Sequence, residues 1–385
     1  MRNIRWLLIL VILLRLTAIN VFASSEVDNI LYEQQKVIEY EEIQSTIDEI
    51  TKNTVIKIDF RETLNKIIKG EFDLQTEDII KIILSNAFSE IRANYNLIVQ
   101  LIAIALIAAI FTNFTTAFSN QYVGEVGYFV VFLLISTIIL KSYNILSKVA
   151  INVIYNLQGF IQTLIPSLFA ATALSGSYTS TFLYSQAMLI IIGIVDKIIL
   201  RYVIPFVYII IVLEIINSIT EESILSKMVD LLKNVVTWSI KVLVVIFIAA
   251  LTMQSFTAPV LDGLANKSVK VAVSAIPFIG TTLSGVADTV LGCAVLIKNG
   301  IGIVALIVII IICLIPIIKI IVVAFLYKLT AAIIQPISDK RLISCLSNVG
   351  DICFILLGIV VITAFLFIIT ITITLNATNI ASYMR

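Results

Sequence analysis

The sequence predicts an all-α, polytopic membrane helical bundle of about seven to eight spans, with a small N-terminal extracytoplasmic helical segment. Three observations lead there. The 385 residues are 60% hydrophobic and 13% charged, with a mean hydropathy of +1.08. Soluble domains run at about 45–50% apolar and about 25% charged, so this chain cannot cover a water-facing surface. Apolar runs of bilayer length recur after residue 95, whereas residues 24–95 carry fifteen acidic and eight basic side chains.

The net charge of +1 sets up no field for nucleic acid, and the chain has no histidine. That removes the commonest general base and the commonest zinc ligand.

Residues 1–23 read as a signal peptide. Arg2 and Arg5 precede the short apolar run from Trp6 to Leu16, and Val21-Phe22-Ala23 supplies the small-x-Ala cleavage pattern. In the acidic segment 24–95, apolar residues recur at helical spacing. Tyr40, Ile43, Ile47 and Ile50 make one face, and Phe60, Leu64, Ile67 and Ile68 a second. A third begins near Thr76, where Glu77 and Asp78 suit the positive end of the helix dipole. The acids lack the spacing of a calcium loop and read as a solvated face.

A bilayer core of about 30 Å needs roughly 20 apolar residues per helix. Residues 96–257 and 300–385 form two parts of a membrane bundle, with spans at 97–118, 123–140, 149–172, 181–200, 202–219, 235–257, 300–325 and 352–375. Strict alternation from an external N-terminal segment puts Lys141, Lys148, Lys197 and Arg201 outside, against the positive-inside tendency. Either one of the eight runs is not a full crossing or residues 1–23 are not a signal peptide, and the span count is the weaker of the two readings.

The stretch 258–299 is rich in glycine and proline, and is expected to be an amphipathic or re-entrant segment. Its candidates for lining a pore or packing helices are Asp262, Lys270, Pro277, Gly280, Asp288 and Lys298. Small residues there equally suit close contact, including a homo-oligomer. Further along, Pro316 bends the apolar run and Lys319 follows it, while Gln335 and Pro336 mark a turn. Charge inside an apolar run is costly, so Lys319 is a pathway candidate, with snorkelling to the surface as the alternative. Glu214, Asn217, Ser218 and Glu221 share one helical face, which suits either a pore lining or a helix end meeting water.

Cys293, Cys313, Cys345 and Cys353 show no CxxC spacing and read as apolar packing residues. No Walker A, GxGxxG or HExxH motif occurs. The sequences nearest to a membrane serine-protease loop, Ala173-Leu174-Ser175-Gly176 and Thr282-Leu283-Ser284-Gly285, lack the leading glycine. The expectation is a non-enzymatic protein without a cofactor or metal.

One stretch carries a family likeness. It runs through Pro259-Val260-Leu261-Asp262-Gly263, Ile276-Pro277-Phe278-Ile279-Gly280, Ala287-Asp288-Thr289-Val290 and Leu296-Ile297-Lys298-Asn299-Gly300-Ile301-Gly302. It continues through Pro316-Ile317-Ile318-Lys319, Tyr327-Lys328-Leu329-Thr330 and Ile333-Ile334-Gln335-Pro336 to Ile343-Ser344-Cys345-Leu346. With these motifs the chain resembles the stage III sporulation protein AE family of endospore-forming Firmicutes. Ser338-Asp339-Lys340-Arg341 stands where that family has a Gly-rich turn. The resemblance implies a component of the channel joining mother cell and forespore, in the mother-cell-derived outer forespore membrane. It implies partners in the same complex, namely ring-forming proteins and a cytoplasmic ATPase, besides membrane lipid, and no catalytic residues. The alternative is an autonomous secondary transporter or permease, which calls for related halves. The kink at Pro316 and Lys319 has no counterpart in the first half.

Overall fold

The computed structural model describes residues 25–52, 57–72, 76–118, 121–175, 178–219, 224–274 and 280–383. The signal-peptide segment 1–23 and Pro277 lie outside them. Every regular element among the described residues is helical. Four modest helices come first: α1 (Ser25–Gln35), α2 (Tyr40–Thr51), α3 (Phe60–Ile68) and α4 (Thr76–Ala93). Then follow α5 (Tyr95–Phe118), α6 (Gln121–Leu174) and α7 (Tyr178–Ile198). A π-helical turn, Ile199–Val203, joins α7 to α8 (Ile204–Asn217). The last three are α9 (Ser226–Ser274), α10 (Gly280–Ile334) and α11 (Lys340–Tyr383).

Local sequence explains the helix ends. Asp59 caps α3, its side chain accepting from the Glu62 N–H at 2.8 Å. Gly70 terminates α3 at φ +71°, where Glu71 N–H reaches back to Lys66 O and Gly70 N–H to Ile67 O. Asp339 caps α11, accepting from the Arg341 N–H at 2.8 Å.

Among the described residues, five helices are long and apolar enough to cross a membrane, or six if the pair Ile80–Ala93 and Tyr95–Ile110, bent by 41°, counts as one span. The expected count of about seven to eight is reduced because apolar runs fuse. The runs 123–140 and 149–172 lie on α6, which is 54 residues long. At 1.5 Å per residue that is about 80 Å, more than twice a bilayer core. Lys141 and Lys148, which separate the runs in sequence, simply sit exposed on its surface. Likewise 181–200 and 202–219 share one rod through the π turn.

The centre of the molecule is the antiparallel pair α10 and α11, the most extensive helix interface. The α5–α6 hairpin and the α7–α8 rod flank it, with α9 packed on α7, α8 and α11. Glycine sets the approach distances. A Cβ on Gly302 would run into the Leu375 side chain, and one on Gly350 would lie 2.9 Å from Lys328 Cγ and 3.1 Å from Ala324 O.

The acidic helices do not stand apart. Ile43, Ile47, Phe60 and Leu64 are fully buried in the same core as Leu157 and Ile301. Each such side chain contributes about 1.5–3 kcal/mol on burial. Gln34 Nε2 donates to Val290 O at 2.9 Å and Glu39 N–H to Ser167 Oγ at 3.2 Å, tying α1 and α2 to α10 and α6. A Cβ on Gly300 would sit 2.7 Å from Leu64 Cδ1, so the glycine lets α3 seat on α10. Burial against this core pushes the Tyr40 phenol up to about 12, with Arg61 opposing.

Candidate functional site

Among the described residues the bundle buries Glu214, Asp196 and Lys298 and partly buries Lys319, charges that a lipid-exposed helix could not keep without help. The Glu214 carboxylate is the best supported. It is 2% exposed, yet lies within the last turn of α8. Asn348 Nδ2 on α11 donates to Oε1 at 2.6 Å, and Lys233 Nζ on α9 lies 3.8 Å from Oε2. The same helix end holds Asn217, whose Oδ1 accepts from the Leu225 N–H at 2.8 Å, and Ser218. Tyr128 on α6 donates to Ser218 O at 3.3 Å. Arg341 stacks its guanidinium 3.8 Å from the Tyr128 ring centroid, donates to Ile219 O at 3.4 Å and closes on its own cap, Asp339, at 3.2 Å. Side chains from α6, α8, α9 and α11 thus meet in one polar cluster at one end of the bundle.

That settles one ambiguity of the sequence. Glu214, Asn217 and Ser218 do share a face, and the face is turned inward against α11 rather than frayed into water. Glu221 lies outside the described residues. The partners Asn348, Lys233, Tyr128 and Arg341 carry no periodic signal. The departure at Ser338-Asp339-Lys340-Arg341 did mark the place, since it supplies both the cap and the stacked guanidinium.

Asp196 is 3% exposed at the end of α7, three residues before the π turn. It lines a small cavity with Phe247 of α9 and Thr363 and Phe367 of α11. Its Oδ2 has no hydrogen-bond partner among the described residues.

Lys298 is fully buried on α10, between Val290, held by Gln34, and Gly300, covered by Leu64. Lys319 sits three residues after Pro316 inside α10, which runs through the proline without ending. Its Nζ lies 3.4 Å from Glu90 Oε1 on α4, with side-chain exposures of 30% and 17%. The structure therefore gives this lysine a partner from the acidic segment. Gln335 and Pro336 are exposed in the turn between α10 and α11. Asp262 and Lys270 fall on α9, while Gly280 opens α10 and carries Asp288 two turns on. Side chains from 254 to 288 lie outside what is described, but the backbone of 258–274 and 280–299 is regular helix, so no re-entrant break occurs in those residues. Of the candidates whose side chains are described, Lys298 and Lys319 lie at different places on α10, and Gln335 and Pro336 lie in the turn after it. Among the described residues no group of His, Cys, Asp and Glu could hold a metal ion, and the four cysteines are free and buried.

Comparison with known proteins decides the family. The family model for stage III sporulation protein AE matches residues 58–378. The chain belongs to that family. Stage III sporulation protein AE of Bacillus subtilis (strain 168) is 26% identical over 324 residues, covering 84% of this chain and 81% of the relative. No solved structure matches. The family match takes in α3 to α11 almost entire and includes Glu214, Asp196, Lys298 and Lys319. It places the chain in sporulation.

Proposed function

We propose that this family member is a non-enzymatic component of the mother cell–forespore channel complex, seated in the mother-cell-derived outer forespore membrane. Its partners are ring-forming proteins and a cytoplasmic ATPase of the same complex. The observation that carries this reading is the use made of buried charge. Glu214 and its neighbours bind four helices to one another, as a scaffold requires. The long rods and the acidic α1–α3 layer offer a rigid body with a charged outer face for partners. Lys319, the candidate on which a transporter reading leaned, is engaged with Glu90 at the flank of α10.

The test is deletion of the gene in its host, followed by capture of the tagged protein from sporulating cells. Normal growth, arrest after engulfment, few heat-resistant spores and recovery of the ATPase and ring-forming proteins are expected. Normal spore yield, or a tagged protein recovered without either partner, would overturn the proposal.

A further inference from the structure

Asp196 is the buried group that no part of the scaffold reading uses. Its carboxyl is held between α7, α9 and α11, 3% exposed, with Oδ2 unpartnered among the described residues. Orphaned buried carboxyls are rare because each costs the desolvation of a polar group, and an ionised one costs far more. The cavity it faces has room for about one water molecule. Ile192, Phe247 and Phe367 line it together with Thr363 of a neighbouring helix. The Thr363 hydroxyl donates to Ile359 O at 2.9 Å, so its proton is already engaged. With no donor among the described residues to answer Oδ2, the carboxyl that keeps its proton is the form this wall holds at least cost. The helix widens into the π turn Ile199–Val203 immediately beyond, a feature that recurs at functional positions.

Charged neighbours do not answer Asp196. On its own rod Lys197 and Arg201 are exposed and make no ion pair with it. On α9 the nearest charge in sequence is the exposed Lys241, six residues from Phe247. The α11 wall carries no ionisable side chain between Cys353 and Leu375. On α6 the basic residues Lys141 and Lys148 are both exposed. A divalent cation would need about six oxygen ligands, and only Asp196 and Thr363 bring side-chain oxygen to this wall.

We propose that Asp196, at its water-sized cavity, forms a proton-binding site inside the bundle that takes up and releases H⁺ and excludes larger cations. The site stands independently of the channel reading.

The full-length protein, purified in detergent and reconstituted, is treated with dicyclohexylcarbodiimide, an apolar reagent that attacks protonated carboxyls. The carboxyl oxygen bonds the carbodiimide carbon and the acid proton passes to its nitrogen, so no other reactant is needed. Peptide mass spectrometry is expected to find Asp196 modified at about pH 7, with the exposed Glu41, Glu42 and Asp48 untouched. The rate is expected to fall more than about tenfold by about pH 10, and to be indifferent to sodium or potassium. Asp196→Asn, which keeps the shape of the neutral acid, is expected to remain folded and to lose the adduct. A wild-type Asp196 that stays unmodified, or is modified at a rate flat in pH, overturns the proposal, as does protection by sodium, which marks a metal-cation site instead. These readings need only the wild-type protein, so they stand if the variant fails to fold.

Discussion

Asn348 on α11 reaches across 134 positions of sequence to donate a 2.6 Å hydrogen bond to Glu214 on α8. The pair closes the polar end of the bundle. Removing its donor leaves a 2%-exposed carboxylate that, among the described residues, has Lys233 at 3.8 Å to answer it. Breaking a buried charged contact is far more costly than never having built one. Asn348→Leu is therefore expected to destabilise by about 2–4 kcal/mol, read as a lowered melting temperature in detergent, while Glu214→Gln costs about 1 kcal/mol. Equal melting of all three proteins would show that the contact contributes nothing.

Gly302 and Gly292 make a matched pair on α10. Leu375 occupies the space where a Cβ on Gly302 would go, whereas nothing lies within 4 Å of the Cβ position at Gly292. Gly302→Leu is expected to cost about 1–3 kcal/mol and lower the yield of monodisperse protein. Gly292→Ala should change stability by under about 1 kcal/mol, in the stabilising direction, since alanine is the better helix former. Size-exclusion profiles of the two variants decide it.

Lys319→Ala is expected to reduce heat-resistant spores more than Lys241→Ala. Lys319 joins α10 to the acidic segment through Glu90, while Lys241 is exposed on α9. The ion pair itself, partly exposed, is worth under about 1 kcal/mol, so melting temperature should hardly move. Equal, near-normal spore yields for both variants would refute the ranking.

The acidic layer has two roles that separate by mutation. Deleting residues 30–70 removes Ile43, Ile47, Phe60 and Leu64 from the common core and is expected to abolish folded protein. Reversing the exposed Glu41, Glu42 and Asp48 to lysine leaves that core intact and is expected to weaken partner recovery from sporulating cells. A deletion variant that stays monodisperse, or charge reversals with full partner recovery, would count against the respective role.

Much of this architecture was legible beforehand. The apolar faces of α2 and α3, read from spacing alone, are the faces that bury, because period-3.6 patterning and burial are one constraint. On α4 the spacing is less informative: Ile80, Leu84 and Phe88 are exposed, and Ile83 with Ala87 packs against Ile318 and Val322. The span count suffered for a related reason. A lysine in an apolar run looks like a boundary, yet Lys141 and Lys148 sit on the outer surface of an unbroken helix, whose backbone hydrogen bonds do not depend on side-chain polarity. Pro316 likewise bends expectation more than it ends the helix.

Composition and periodicity by themselves determined that the chain is helical, membrane-spanning and divided into an acidic segment and an apolar bundle, since those properties follow from local spacing and from the solvent each side chain tolerates. They also located the charges that a bilayer would penalise. Which of those charges meet was decided only by tertiary structure. Asn348 finds Glu214, Lys319 finds Glu90 and Asp196 Oδ2 finds no partner among the described residues, because helices far apart in sequence are brought side by side by the packing of α10 against α11.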